Sequence, residues 1–229
     1  FHLSNGAENN EPYIKIPYLD ERGQQPVFRK RFPHGAKQRF KWSRGSAGKL
    51  LLYGEWRLQR IREKGYVLLV EGESDTQTLW YLGYPALGVP GATTFKALWT
   101  DYIQNLTIYL HVEPDNGGQV FKRHVTDKLI EGNFKGVIKE WTCHDCNTKD
   151  PSELLIRDGK DEAQKGIQRL IDKAELIDLN AAATTDAMPD APKRLKQPNG
   201  WHYSDAGIEV IDKDGSLKLV CRTPIILTK

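Results

Sequence analysis

Tyr66-Val67-Leu68-Leu69-Val70-Glu71-Gly72-Glu73-Ser74-Asp75 decides the fold. Five consecutive apolar, β-favouring residues, introduced by Lys64-Gly65, describe a strand buried on both faces, as in parallel α/β sheets. Three carboxylates follow within five residues. Ser74-Asp75-Thr76-Gln77 then has the Ser-x-x-Gln pattern of a capping box, opening a helix through Leu79 and Leu82 to Gly83. In open parallel sheets the ligand crevice lies beyond the carboxyl ends of the strands, which is where this reading puts Glu71.

Working outward, a second apolar run, Leu106-Thr107-Ile108-Tyr109-Leu110-His111-Val112, ends in Glu113-Pro114-Asp115-Asn116-Gly117-Gly118. Side chains two apart on an extended chain share a side, so Glu113 and Asp115 can share one cation. Between the two runs, Ala86-Leu87-Gly88-Val89 reads as a short strand and Pro90-Gly91-Ala92 as a tight turn, with a helix following through Leu98, Trp99 and Ile103. After the second run come a helix with Phe121, Val125 and Leu129 on one face, stopped by Gly132, and a strand at Gly136-Val137-Ile138-Lys139. Strands alternating with helices imply right-handed crossovers and a parallel sheet. Asp150-Pro151-Ser152-Glu153 is a helix start, with Asp as cap, Pro at the first helical position and Glu three residues on; a helix from Asp161 through Ile167, Leu170 and Ile171 closes the domain.

Glu71-Gly72-Glu73-Ser74-Asp75 followed about one βαβαβ unit later by Glu113-Pro114-Asp115 resembles the toprim domain, the metal-binding core of bacterial-type primases, topoisomerases and some nucleases. Ile16-Pro17-Tyr18-Leu19-Asp20-Glu21-Arg22-Gly23 and Leu52-Tyr53-Gly54-Glu55 are similar to segments flanking the basic, template-binding half of the primase catalytic core, so the resemblance covers roughly residues 14 to 175. The pattern departs from the commoner one in having Glu113 in place of the first Asp of an Asp-x-Asp pair, and Ser152 in place of the second Asp of an Asp-Pro-Asp motif. The resemblance implies a toprim, Rossmann-like α/β sheet preceded by a smaller basic α+β subdomain. It implies a divalent ion, Mg2+ or Mn2+, held by Glu71, Asp75, Glu113, Asp115 and Asp150, with Glu71 catalytic. The expected activity is template-directed primer synthesis on single-stranded DNA from nucleoside triphosphates. A toprim nuclease and a non-catalytic single-strand-binding module are the alternatives.

Composition agrees with a soluble globular protein. Of 229 residues, 39% are hydrophobic and 28% charged, which argues against both disorder and a membrane-embedded chain. No apolar stretch is long enough to span a bilayer, and the start resembles no signal peptide. A cytoplasmic location is expected, and a chain beginning at Phe1 rather than Met reads as a segment of a longer polypeptide. Three cysteines do not make a secreted disulfide framework. Cys143-His144-Asp145-Cys146 has the spacing of half a zinc site, but without an evident second half it reads as a surface loop with free thiols.

The net charge of +3 hides an asymmetry. Between Glu21 and Glu55 there is no acidic residue, while Arg29, Lys30, Arg31, Lys37, Arg39, Lys41, Arg44 and Lys49 lie within 28–49. These eight exceed the net charge, so the rest of the chain is acidic. Unopposed cations on this scale favour binding of phosphate, and Arg29, Arg31, Lys37, Arg39, Lys41, Arg44 and Lys49 are the candidates for a nucleic-acid backbone. The interleaved Phe28, Phe32, Phe40 and Trp42 are read as core, with base stacking as the alternative. Arg44-Gly45-Ser46-Ala47-Gly48-Lys49-Leu50 is not a phosphate loop, because its spacing is wrong and Leu50 replaces the magnesium-binding hydroxyl residue.

The expected organisation is a flexible end over 1–12, the basic subdomain over 13–64, the toprim domain over 65–178, a linker over 179–199 and a β-rich module beginning at 200–229. Ala, Thr, Asp and Pro dominate 180–198, and a hairpin is expected around Asp212-Lys213-Asp214-Gly215. This last segment resembles the start of the module preceding a helicase in mobile-element primase-helicases, so a helicase module in the same longer polypeptide is an expected partner.

Overall fold

The computed structural model describes residues 2–46 and 50–179, together with the backbone of three strands between 201 and 221. Residues up to 183 form one compact unit and those from 184 another. In the second unit, β10 (Trp201–Ser204), β11 (Gly207–Ile211) and β12 (Leu217–Cys221) pair antiparallel in that order. The 212–215 turn expected between β11 and β12 lies outside the described residues, as do Lys49 and most of the 179–199 segment.

The first unit begins with an antiparallel sheet of β1 (Ser4–Glu8), β2 (Glu11–Tyr18), β3 (Val27–Arg31) and β4 (Phe40–Trp42), in sequence order. The stretch 1–12, expected as a flexible end, instead carries β1. The reason is its turn: Glu8 pairs with Glu11, leaving Asn9 and Asn10 as a two-residue loop with φ of 51° and 65°. Asparagine tolerates this left-handed backbone, and two such residues in a row match the twist of a hairpin. Glu8 then holds Lys30 and Lys41, each at 2.8 Å, tying β1 to the sheet.

The second sheet has the order β6-β5-β7-β8-β9, where β5 is Tyr66–Glu71, β6 Ala86–Val89, β7 Thr107–His111, β8 Val137–Trp141 and β9 Glu175–Leu176. The first four are parallel, and only β9 runs antiparallel. Alternation along β5 divides the interior. Val67 and Leu69 pack with α1 (Leu58–Lys64) and α3 (Asn116–Glu131) through Leu58, Ile61, Phe121, Val125 and Leu129. Leu68 and Val70 pack on the other face with α2 (Glu73–Tyr81) and α4 (Pro151–Asp172) through Leu79, Leu154, Ala163 and Ile167. Helices thus flank both faces of the mostly parallel sheet that the alternation of strands and helices predicts.

Three local expectations are corrected. The Ser74 capping box does not form: α2 starts at Glu73, its cap is Gly72 at φ 79°, and the Ser74 hydroxyl instead accepts from Arg31 at 3.0 Å. The segment from Ala97 to Ile103 is a 3-10 helix, not an α-helix, with Trp99 and Ile103 buried. Cys143 is not in a surface loop but fully buried beside Trp141, Leu154 and Ile167; burial raises its thiol pKa, so it is a packing residue in the protonated form.

Candidate active site

The carboxyl ends of β5 and β7 and the start of α4 form one rim. Gly72 ends β5 in a conformation with positive φ, turning the chain so that Glu73 and Asp75 lie on the first turn of α2. After β7, Asp115 caps α3, its Oδ1 accepting from Gly118 N–H at 2.9 Å. Only glycine fits at 118, because a Cβ there would stand 2.1 Å from the Glu113 carbonyl oxygen. Asp150 caps α4, accepting from Glu153 N–H at 2.7 Å, and the Glu153 carboxylate accepts from Lys149 N–H, so the helix start read from the sequence is present.

Asp75, Glu113 and Asp150 converge: each offers an oxygen within 4.8 Å of the others. Glu71 lines the same cleft, as do Arg29, Arg31 and Arg39. Carboxylates at that separation repel by about 3 kcal/mol per pair at an effective dielectric near 20, so the group is unfavourable without a cation. Asp75 records this. Burial first, then the nearby Asp150, push its pKa up to about 7, against hydrogen bonds from Ser152 that favour the charged form. Glu71 is likewise raised, by burial and then by Glu113.

Asp115 is turned elsewhere. Its second oxygen meets Lys149 Nζ at 3.2 Å, and the same Nζ lies 2.8 Å from Glu113. The Gly118 amide, then Lys149, hold the Asp115 pKa below its ordinary value. Glu113 and Asp115 thus do share a cation, but it is Lys149, a residue sequence reasoning passed over although it directly precedes Asp150. Both Asp115 oxygens are engaged, whereas Glu113 is common to the lysine pair and the converging trio.

Ser152, set aside in the sequence because it lacks a carboxylate, donates to Asp75 from its hydroxyl at 2.5 Å and from its backbone N–H at 3.2 Å. It orients a neighbouring carboxylate rather than supplying one. Removing such a partner costs metal sites about 10–100-fold in affinity. Ser152→Ala is therefore expected to weaken divalent-ion binding by that factor, read by calorimetric titration with Mn2+, while the fold persists. In the ion-free protein Asp75 keeps a proton that the unfolded chain has released. Stability should therefore fall as pH rises from about 4 to about 7, and added divalent ion should restore it at the upper end; thermal melts at pH 5 and pH 8 with chelator or ion check both signs.

Glu73 belongs to a different cluster. It is buried and accepts from Tyr18 Oη at 2.5 Å and from Arg29 at 3.0 Å, while Arg29 also donates to the Pro90 carbonyl. This joins the small sheet to α2 and β6. The seven cations chosen as backbone-binding candidates therefore divide. Arg29 is held by Glu73 and Lys41 by Glu8; Arg31 donates to Ser74; Lys37, Arg39 and Arg44 are exposed with no ion pair among the described residues. Phe40 organises three of them, with the guanidinium carbons of Arg29, Arg31 and Arg39 at 4.5, 5.8 and 5.5 Å from its ring centroid. Its ring is thus a platform under arginines, and Phe32 and Trp42 pack in or against the core as expected. Arg31 and Arg39 also line a groove that runs past Tyr13, Phe32 and His34, extending the basic surface away from the carboxylates.

A parallel sheet carrying a convergent carboxylate rim, with arginines of a separate small sheet lining the same cleft, defines a class of α/β proteins. Within that class the chain has the fold of the DNA primase catalytic core. It is similar to the E. coli primase catalytic core, with a TM-score of 0.59 and 19% identity over 82% of this chain and 61% of that one. It is similar to a DnaG primase catalytic domain solved bound to single-stranded DNA, with a TM-score of 0.59 and 18% identity over 77% and 56%. It is also similar to the primase fragment of the bacteriophage T7 primase-helicase, with a TM-score of 0.55 and 20% identity over 74% and 66%. The chain spans between about half and two thirds of the length of these structures. No protein-family model and no curated protein sequence matches it.

Proposed function

We propose that this chain is the catalytic core of a DNA primase, a nucleotidyltransferase that joins nucleoside triphosphates on a single-stranded DNA template. The observation that carries the reading is the convergence of Asp75, Glu113 and Asp150 at the strand ends, within a fold shared with primase cores. The residues fit a hard divalent ion. All donors are carboxylate oxygens, they are packed closely enough to need a counter-charge, and such ligands select Mg2+ or Mn2+, which keep waters and accept phosphate oxygens. Asp75, Glu113 and Asp150 would hold the ion, with Glu71 beside it; when bound, the ion neutralises charge on the phosphates and favours ionisation of the attacking hydroxyl.

The chain's own groups supply the remainder. Arg31 and Arg39 line the same cleft as the carboxylates, where a triphosphate's outer oxygens would lie, and charge-assisted contacts there would position it for in-line attack. Lys149 fixes Glu113 and so one edge of the ion site. Ser152 fixes Asp75. The exposed Lys37, Arg39 and Arg44 and the groove past Tyr13 and His34 suit the backbone of a template strand.

A helicase module in the same longer polypeptide and a cytoplasmic setting belong to this proposal; no helix among the described residues is long and apolar enough to cross a membrane. The test is primer synthesis: purified protein with single-stranded template, nucleoside triphosphates and Mn2+ should give template-dependent oligonucleotides. Shortened template strands in place of new ones would make the site a nuclease instead.

A further inference from the structure

A second cationic cleft, of about 370 Å3, opens at the other end of β6 from the carboxylate rim. The rim lies by Val89 and Pro90, whereas this cleft is lined by Pro85 and Ala86 at the start of the strand and by residues of α1 and the end of α2. Arg57, Arg60 and Lys64 enter it, against one acid, Glu63, whose carboxylate is bonded by Gln59. The walls are Trp80 and Tyr84. Each is tied down by its polar end, Trp80 to the Ala86 carbonyl and Tyr84 to the Gln164 carbonyl, so the shape of the cleft is fixed by the fold.

Arg57 is the unusual member. Its guanidinium lies 4.2 Å from the centroid of Trp80, and its Nε is shut off from solvent without a hydrogen-bond partner. No ion pair involves it among the described residues, and burial, with Arg60 beside it, makes its charged state less favourable than that of an ordinary arginine. The neighbouring Arg62 shows the contrast: it faces out and pairs with Glu21 at 2.8 Å. A guanidinium held against an aromatic face, with two further cations and a single acid, Glu63, in the same cleft, presents donors to a ligand with several anionic oxygens.

We propose that this cleft is a phosphate-binding site separate from the carboxylate rim, with Arg57 at its base and Arg60 and Lys64 at its mouth. The phosphoryl group comes either from the backbone of a single strand lying over α1 or from free pyrophosphate. The Trp80 ring is covered by Arg57, so the cleft reads phosphate rather than a stacked base.

The experiment uses the whole chain without divalent ion, so that the carboxylate rim takes no part. Anisotropy of a fluorescein-labelled single-stranded dT oligonucleotide is followed against KCl concentration for wild type and for Arg60→Gln/Lys64→Gln, both on the surface of α1. Pyrophosphate is titrated by calorimetry into wild type and Arg57→Met, which keeps an apolar stem over Trp80. If a strand is the source, the double variant loses about 1.4 from the slope of log affinity against log salt, as expected for two single-strand phosphate contacts. If free phosphate is the source, that slope is unchanged and the pyrophosphate heat disappears in Arg57→Met. An unchanged slope with no pyrophosphate binding to wild type, or with equal binding to Arg57→Met, overturns the proposal. Thermal melts of Arg57→Met at or above the wild-type midpoint show that any loss is not unfolding.

Discussion

Glu113→Gln combined with Asp150→Asn should abolish tight binding of Mn2+ and lower primer synthesis by at least about 10²-fold, the loss typical when a preorganised electrostatic contact to a developing charge is removed. The double change leaves two neutral amides beside Asp75 where three carboxylates had converged within 4.8 Å. Its fold should be no less stable than wild type in the absence of ion, because the mutual repulsion is gone. The informative comparison is Asp115→Asn. Asparagine still caps α3, and the carboxylate it replaces is already committed to Gly118 and Lys149, so less than a tenfold effect on ion affinity is expected. A greater loss from Asp115→Asn than from the double change would place the ion between residues 113 and 115 and displace Lys149 from its role.

Arg29→Met should cost about 3–5 kcal/mol of stability, the range for leaving one member of a buried ion pair unaccompanied. Arg29 and Glu73 have side chains only 18% and 6% exposed, so solvent screens the pair little. Without the guanidinium, Glu73 keeps one strong donor, Tyr18 Oη, and remains a charge in the interface between the small sheet and α2. Adding Glu73→Gln to Arg29→Met should recover most of the loss, since the stranded charge rather than the missing contact carries the cost. Urea denaturation of the three proteins decides it. Equal midpoints for wild type and Arg29→Met, with weaker single-strand binding in the variant, would return Arg29 to the template surface.

These two cases show how far the sequence could be read. The apolar run of β5 and the largely apolar run of β7 marked two buried strands, because a strand covered on both faces is mostly apolar, and the acidic residues that followed fell at the strand ends. Glu71 and Glu113 stood out as candidates on that ground, whereas Asp75 and Asp150 entered through the resemblance to toprim primases; the structure lines one cleft with all four. The pairing of charges was not. Glu8 to Lys30 and Lys41, Glu73 to Arg29 and Lys149 to Glu113 connect residues from 22 to 44 positions apart, and a run of cations looks unopposed until the chain brings an acid to it. The Ser74 cap failed for a local reason. Gly72 could take positive φ, which let the helix begin two residues earlier than the capping pattern indicated. For β1, the signal was present in Asn9-Asn10, but Ser4-Asn5-Gly6-Ala7-Glu8 has no apolar alternation to accompany it.

Gly159 interrupts α4 at φ 76° and ψ 177°, a combination essentially reserved for glycine. The segment before it carries the Asp150 cap and Ser152, while the segment after it packs Ala163, Ile167 and Leu170 into the core. Two rods therefore meet at one achiral joint, and the bearing of the rod that presents Asp150 to the rim depends on that backbone angle together with its own buried Leu154. Any substitution there that straightened the helix would swing an intact set of residues out of alignment, disabling the chemistry from a position that touches none of it.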